Sequence, residues 1–220
     1  MPRPLDGVVG ERLGLPAYYA DFLENYERAS EFWKLERGQA YAEPDSENWR
    51  AFDRGDWEES MRLSEDRRAE LAESERQDAA RGMTSHRIRI VSLPPSDYLL
   101  WELHVLKIRD EAGEAINVLL DTEVANLEDH GQLPDINLLD TGVLYQVIYD
   151  DYGVLDHAVR YADEALVRRC RDFIAGLFGR GEPIGEFFKR EIALLPPPRP
   201  ARQSLPPDYF GPAGRPRSPQ

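Results

Sequence analysis

After Gly82 the period of the apolar residues changes twice within forty residues, and that change limits what the chain can fold into. Residues 86–92 read His-Arg-Ile-Arg-Ile-Val-Ser. This alternation of period two sets Ile88 and Ile90 on one face of a strand and Arg87, Arg89 and Val91 on the other. Pro94 and Pro95 break the strand, and Ser96 stands where a helix N-cap belongs. The helix that follows carries Leu99, Leu103 and Leu106, with Trp101, Val105 and Ile108 alongside, and Gly113 closes it. Residues 115–120, Ala-Ile-Asn-Val-Leu-Leu, form a second strand.

The later part of the chain adds hairpins. Residues 121–134 read as a loop or a short helical insert. Strands over 136–139 and 143–149 meet across Asp140-Thr141-Gly142. Asp151-Tyr152-Gly153 then turns into a last strand near 154–161. Asp163 caps an amphipathic helix bearing Leu166, Cys170, Phe173, Ile174, Leu177 and Phe178, which Gly179 ends, and a shorter helix surrounds Ile184, Phe187 and Phe188. One strand–helix–strand unit followed by an antiparallel meander gives a mixed β-sheet with helices packed on it, an α+β class.

Upstream, residues 1–15 are a lead-in and residues 16–82 read as a helical region. Tyr19, Phe22, Leu23 and Tyr26 make one apolar stripe after Pro16. Phe32, Trp33 and Leu35 continue the apolar content towards Tyr41. Asp45 is the expected cap of a short helix carrying Trp49 and Phe52. Asp56 caps a longer one over 57–81, anchored by Trp57, Met61 and Leu71 and otherwise a solvated face of Glu and Arg at three- and four-residue spacing. The mixed-sheet core is expected over 83–192, and a Pro/Arg-rich disordered tail over 193–220. Nine of the 17 prolines lie in 196–220, with four arginines and one acid, Asp208. Such a stretch forms no packed core.

With 220 residues the chain can bury a sizeable core as one domain. No apolar run approaches the roughly 20 residues that span a bilayer, and none follows Met1-Pro2-Arg3-Pro4 as a secretory signal would. No membrane partner is expected. The net charge is −14 and the tail contributes +3, so −17 rests on the remainder. That charge repels phosphate backbones, and direct nucleic-acid binding is not expected. The single cysteine, Cys170, sits among apolar residues at helical spacing and reads as a buried structural thiol. Its solitude fits a reducing, cytoplasmic compartment.

No phosphate-cradling Gly-rich loop, dinucleotide fingerprint, nucleophile elbow, His-Glu-x-x-His or cysteine pair is present. No catalytic residue, metal ligand or cofactor is therefore assigned, and the reading leans away from an enzyme. His104 and Lys107 come near a phosphodiesterase spacing but share a mid-helix face as ordinary surface residues. Residues 111–164 hold thirteen acids and one basic residue, Arg160, in a spacing that matches no metal loop. The group that bears most on binding lies at the strand end and helix start. Arg87 and Arg89 share a strand face, Tyr98 and Glu102 share a helix face, and Asp135 and Asp140 flank the following strand. Arginines there can hold a small anionic ligand by bidentate hydrogen bonds. The alternative, which is preferred, is an internal ion-pair network of Arg87 or Arg89 with Glu102 or Asp135.

The block Arg-Ile-Arg-Ile-Val-Ser-Leu-Pro-Pro-Ser-Asp-Tyr over 87–98, with Trp101 and Glu102, resembles the central block of a family. Gly113, Glu114 and Ile116 resemble its next block. Residues 133–140 with Tyr149, Asp150 and Gly153 resemble the one after, and residues 32–36 with Tyr41 resemble its N-terminal part. The family is the actinobacterial domain of unknown function 6879, and the resemblance covers roughly residues 17–190. It implies a cytoplasmic accessory or sensor domain, with no established activity, that works with a helix-turn-helix transcriptional regulator. The later half also looks loosely like a phospholipase-D-like sandwich without the catalytic pair.

Overall fold

The computed structural model describes Leu5, residues 7–198, Leu205 and Tyr209. Eight strands form one mixed sheet: β1 (Glu11–Gly14), β2 (Glu31–Glu36), β3 (Thr84–Val91), β4 (Ala115–Leu120), β5 (Asp135–Leu139), β6 (Val143–Tyr149), β7 (Leu155–Tyr161) and β8 (Glu182–Pro183). Their order is β1-β7-β6-β5-β2-β3-β4-β8. β2, β3 and β4 run parallel, and every other pairing is antiparallel. The helices are α1 (Leu15–Arg28), α2 (Glu47–Asp53), α3 (Trp57–Asp66), α4 (Arg68–Ala80), α5 (Asp97–Glu111), α6 (Asp121–Val124), α7 (Glu164–Arg180) and α8 (Ile184–Phe187).

The alternation in β3 sorts the two faces. Ile88 and Ile90 join Trp33, Leu35, Leu119, Ile136, Leu138 and Leu144 on one face, and Leu166, Val167, Cys170, Ile174 and Leu177 of α7 cover them. Asp163 caps α7 by accepting from the Leu166 backbone N–H at 2.7 Å. The chain leaves that helix at Gly181, where a Cβ would stand 2.9 Å from the Asn117 Cβ. On the opposite face, Val91, Ile116 and Val118 meet Leu99 and Leu103 of α5 and Ile184 and Phe187 of α8. Ser96 caps α5 through the Leu99 N–H at 3.0 Å. α1 covers the antiparallel half of this face, with Tyr18, Phe22 and Tyr26 over Phe32 and Tyr145.

Four expectations are corrected. Residues 31–36 lie inside the supposed helical region but form β2, paired to β3 on one side and β5 on the other. The sheet is thus not confined to 83–192. In α1 the inward stripe is the buried Tyr18 and Asn25 with the half-buried Phe22 and Tyr26, while Tyr19 and Leu23 are exposed. The selection is polar as well as apolar, because Tyr18 Oη accepts from Asn137 and Asn25 donates to Tyr145 Oη. The helix expected over 57–81 is two, divided at Arg67 without a proline or glycine. α3 is clasped to its neighbours by the fully buried Ser60, which accepts from Trp101 Nε1 and donates to the Asn48 carbonyl, and by Ser64. α4 buries no residue. Finally, Ser46 and not Asp45 caps α2. From residue 199 onward the tail lies outside the described residues except for Leu205 and Tyr209.

Candidate functional site

The register of β2, β3 and β4 places charges side by side on the face that α5 covers. Lys34 is paired with Arg87, and Glu36 with Arg89. Arg87 donates to Glu36 at 2.8 Å and to Glu114 at 2.6 Å, and Arg109 of α5 donates to the other oxygen of Glu114. Lys34 completes the chain at 2.6 Å from Glu36. Two residues further along β3, on the same face, Arg89 is fully buried. Its Nε donates to Glu102 at 2.8 Å and Nη2 lies 2.7 Å from the same oxygen, while Nη1 donates to the Glu36 and Ile90 carbonyls. Tyr98, one turn before Glu102, donates to Glu43 at 2.8 Å, and its hydroxyl lies 3.3 Å from Glu102.

Burial alone would raise the acids of this network, but the cations override it at two of them. Arg87, Lys34 and Arg89 hold Glu36 well below the usual carboxylate range, and Arg87 with Arg109 holds Glu114 down at about 2. At Glu102 burial wins: with Glu36 and Glu43 adding to it, the carboxyl is pushed up to about 7 despite Arg89. Burial likewise raises Glu43 and Asp135 and lifts Tyr98 well above its ordinary value.

Of the six residues singled out in the sequence, Arg87, Arg89, Tyr98 and Glu102 come together. Asp135 joins them indirectly. It accepts from the Arg37 backbone N–H and from Tyr41 Oη at 2.8 Å, and the Tyr41 ring lies 5.7 Å from the Arg89 guanidinium carbon. Asp140 is not part of the cluster. It follows the far end of β5 and accepts from the Ser30 backbone N–H, tying the start of β2 to the 140–142 turn. Glu36, Glu43, Glu114 and Tyr41 are central, yet no spacing in the sequence marked them. Only the alternation of 31–36, with Phe32, Lys34 and Glu36 on one side, could have drawn Glu36 to the arginine face.

Beside the cluster a cleft of about 310 Å³ is lined by Tyr41, Phe52, Asp97, Tyr98, Asp151 and Tyr152, with Ala40 and Gly153. Its floor is aromatic: Tyr98 packs edge-on against Tyr41, and Phe52 stacks on Trp101. His104, expected at the surface, is instead half-buried, edge-on to both Trp57 and Phe188, and burial lowers its pKa. Lys107 sits over the Phe188 ring and pairs with Glu111. Among the described residues no three His, Cys, Asp or Glu side chains converge as metal ligands. Likewise, no helix among them is long and apolar enough to cross a membrane.

The sequence profile of the domain of unknown function DUF6879 matches residues 20–189, which span α1 to α8 and include the whole cluster and cleft. The chain belongs to the DUF6879 family. No curated protein matches it. Among solved structures this family member is similar to TrmBL2, an archaeal chromatin protein described as showing a novel mode of DNA binding. The identity is 12% and the TM-score 0.42, over 83% of this chain. The chain spans only 56% of that protein's length.

Proposed function

We propose that this DUF6879 domain acts through contact with another protein, as a cytoplasmic accessory or sensor domain working with a helix-turn-helix transcriptional regulator. The observation that carries the non-catalytic part is the state of the two arginines. Arg87 and Arg89 are buried, and each is already spent on a buried carboxylate. A guanidinium so engaged has few donors left for an incoming phosphate or carboxylate, and extracting it would strand Glu36, Glu102 or Glu114. The cleft beside them is walled by Asp97 and Asp151, which repel a small anion. The regulator as partner is what the family resemblance implies, and the free buried Cys170 suits a reducing compartment. Affinity capture with the full chain from its native host tests the reading. A helix-turn-helix protein recovered in near-stoichiometric amount is expected, and recovery of no DNA-binding or transcriptional protein would overturn it.

A second reading, binding of a small anion at Arg87, Arg89, Tyr98 and Glu102, draws on Tyr98 being shared between cluster and cleft. A thermal-shift screen against phosphorylated and carboxylated metabolites checks it. A rise of several degrees with one anionic class would put this reading ahead of the first, since only binding to the folded state stabilises in this way.

A further inference from the structure

Leu205 and Tyr209 lie beyond the residues matched by the family profile, yet both are seated on the domain. Leu205 is 7% exposed and belongs to the same apolar cluster as Tyr41, Trp49, Phe52, Tyr98 and Trp101. Tyr209 stands edge-on to Tyr152 at 5.5 Å between ring centroids and donates to Asp150 at 2.8 Å. Tyr41, Phe52, Tyr98 and Tyr152 are also walls of the aromatic cleft. Two anchors four residues apart, one apolar and one a tyrosine with its hydroxyl satisfied, are how a short segment is recognised by an aromatic surface with a polar edge. Charge agrees: Asp97 and Asp151 line the cleft, Asp150 accepts from the Tyr209 hydroxyl, and the segment from 196 on carries four arginines against one acid.

We propose that the aromatic surface bordering the cleft is a peptide-docking site for a segment presenting a leucine and, four residues later, a tyrosine, and that Leu205 and Tyr209 of this chain occupy it in cis. The partner it fits in trans is a basic, proline-containing segment with the same two anchors, which has to displace the chain's own. The proposal goes beyond the accessory-domain reading and stands without it, because its test needs no regulator.

The test uses the full chain and a fluorescent peptide of residues 199–213. The Leu205→Ala/Tyr209→Ala double variant, its site vacated, should bind the peptide saturably. The wild type should bind it at least tenfold more weakly, because its site is filled at high effective concentration. The same peptide with both anchors replaced by alanine should lose at least tenfold on the double variant. Equal binding to wild type and variant, or none to a variant that unfolds at the wild-type temperature, would overturn the proposal. Should the double variant not fold, wild-type NMR decides: nuclear Overhauser contacts between the Tyr209 and Tyr152 rings are expected, and their absence would equally sink it.

Discussion

Arg89 shows what a single side chain can demand of its surroundings. A guanidinium fully removed from water needs a carboxylate, and the one in reach is Glu102. Glu102→Ala should cost about 3 to 5 kcal/mol, because it leaves the Arg89 charge buried and unpaired, and Arg89→Ala should destabilise as well, because Glu102 loses its hydrogen-bonding cation. The double variant should cost less than the two losses added, with a coupling of about 1 to 3 kcal/mol in urea unfolding. Titration gives a second check. Glu102 binds its proton more tightly when folded (about 7) than a free glutamate does, at about 4.3. Its contribution to stability is therefore present in full below the unfolded value and is lost as pH rises through about 7. Glu114, held at about 2, has the opposite sign: its contribution is present above about 4.3 and disappears as pH falls towards 2. Glu102→Gln should flatten the part of the decline in unfolding midpoint that Glu102 imposes between pH 5 and 7. A decline that survives in Glu102→Gln would assign it to another group.

At the scale of elements, Gly181 is the tightest joint between α7 and the sheet. An added Cβ would meet the Asn117 Cβ at 2.9 Å and the Cδ1 of the fully buried Ile88 at 3.0 Å. Gly181→Ala should destabilise by about 1 to 3 kcal/mol in thermal unfolding. In α4, which buries nothing, Glu73→Ala or Arg76→Ala should change stability by less than about 0.5 kcal/mol. The same contrast explains what the sequence disclosed. β3, β4, β6, α5 and α7 were legible because each has one strongly apolar face or a side-chain cap, both local signals. β2 was not, since Lys34 and Glu36 look solvent-facing until Arg87 arrives from a strand some fifty residues on. In the site, Arg87, Arg89, Tyr98 and Glu102 could be found because a strand and the next helix place them by periodicity. Glu43, Glu114 and Tyr41 could not, because loops and helix ends carry them there.

Across the whole molecule, Cys170 is a built-in reporter. It is fully buried where α7 meets the sheet, and burial pushes its thiol up to about 11. Labelling by a thiol reagent at pH 8 should therefore proceed no faster than global unfolding, accelerating with urea in step with it. Labelling much faster than unfolding would mean that α7 opens by itself. The sheet order also has a temporal meaning. β1 holds the outer edge only through β7, with Glu11 opposite Arg160. As the chain leaves the ribosome, β2, β3 and β4 can associate once Leu120 has emerged, yet β1, made before them, finds its neighbour only after some forty more residues. β1 thus waits for a partner made well after it, and until then the side of the nascent sheet that β7 will join is the edge a chaperone would have to shield.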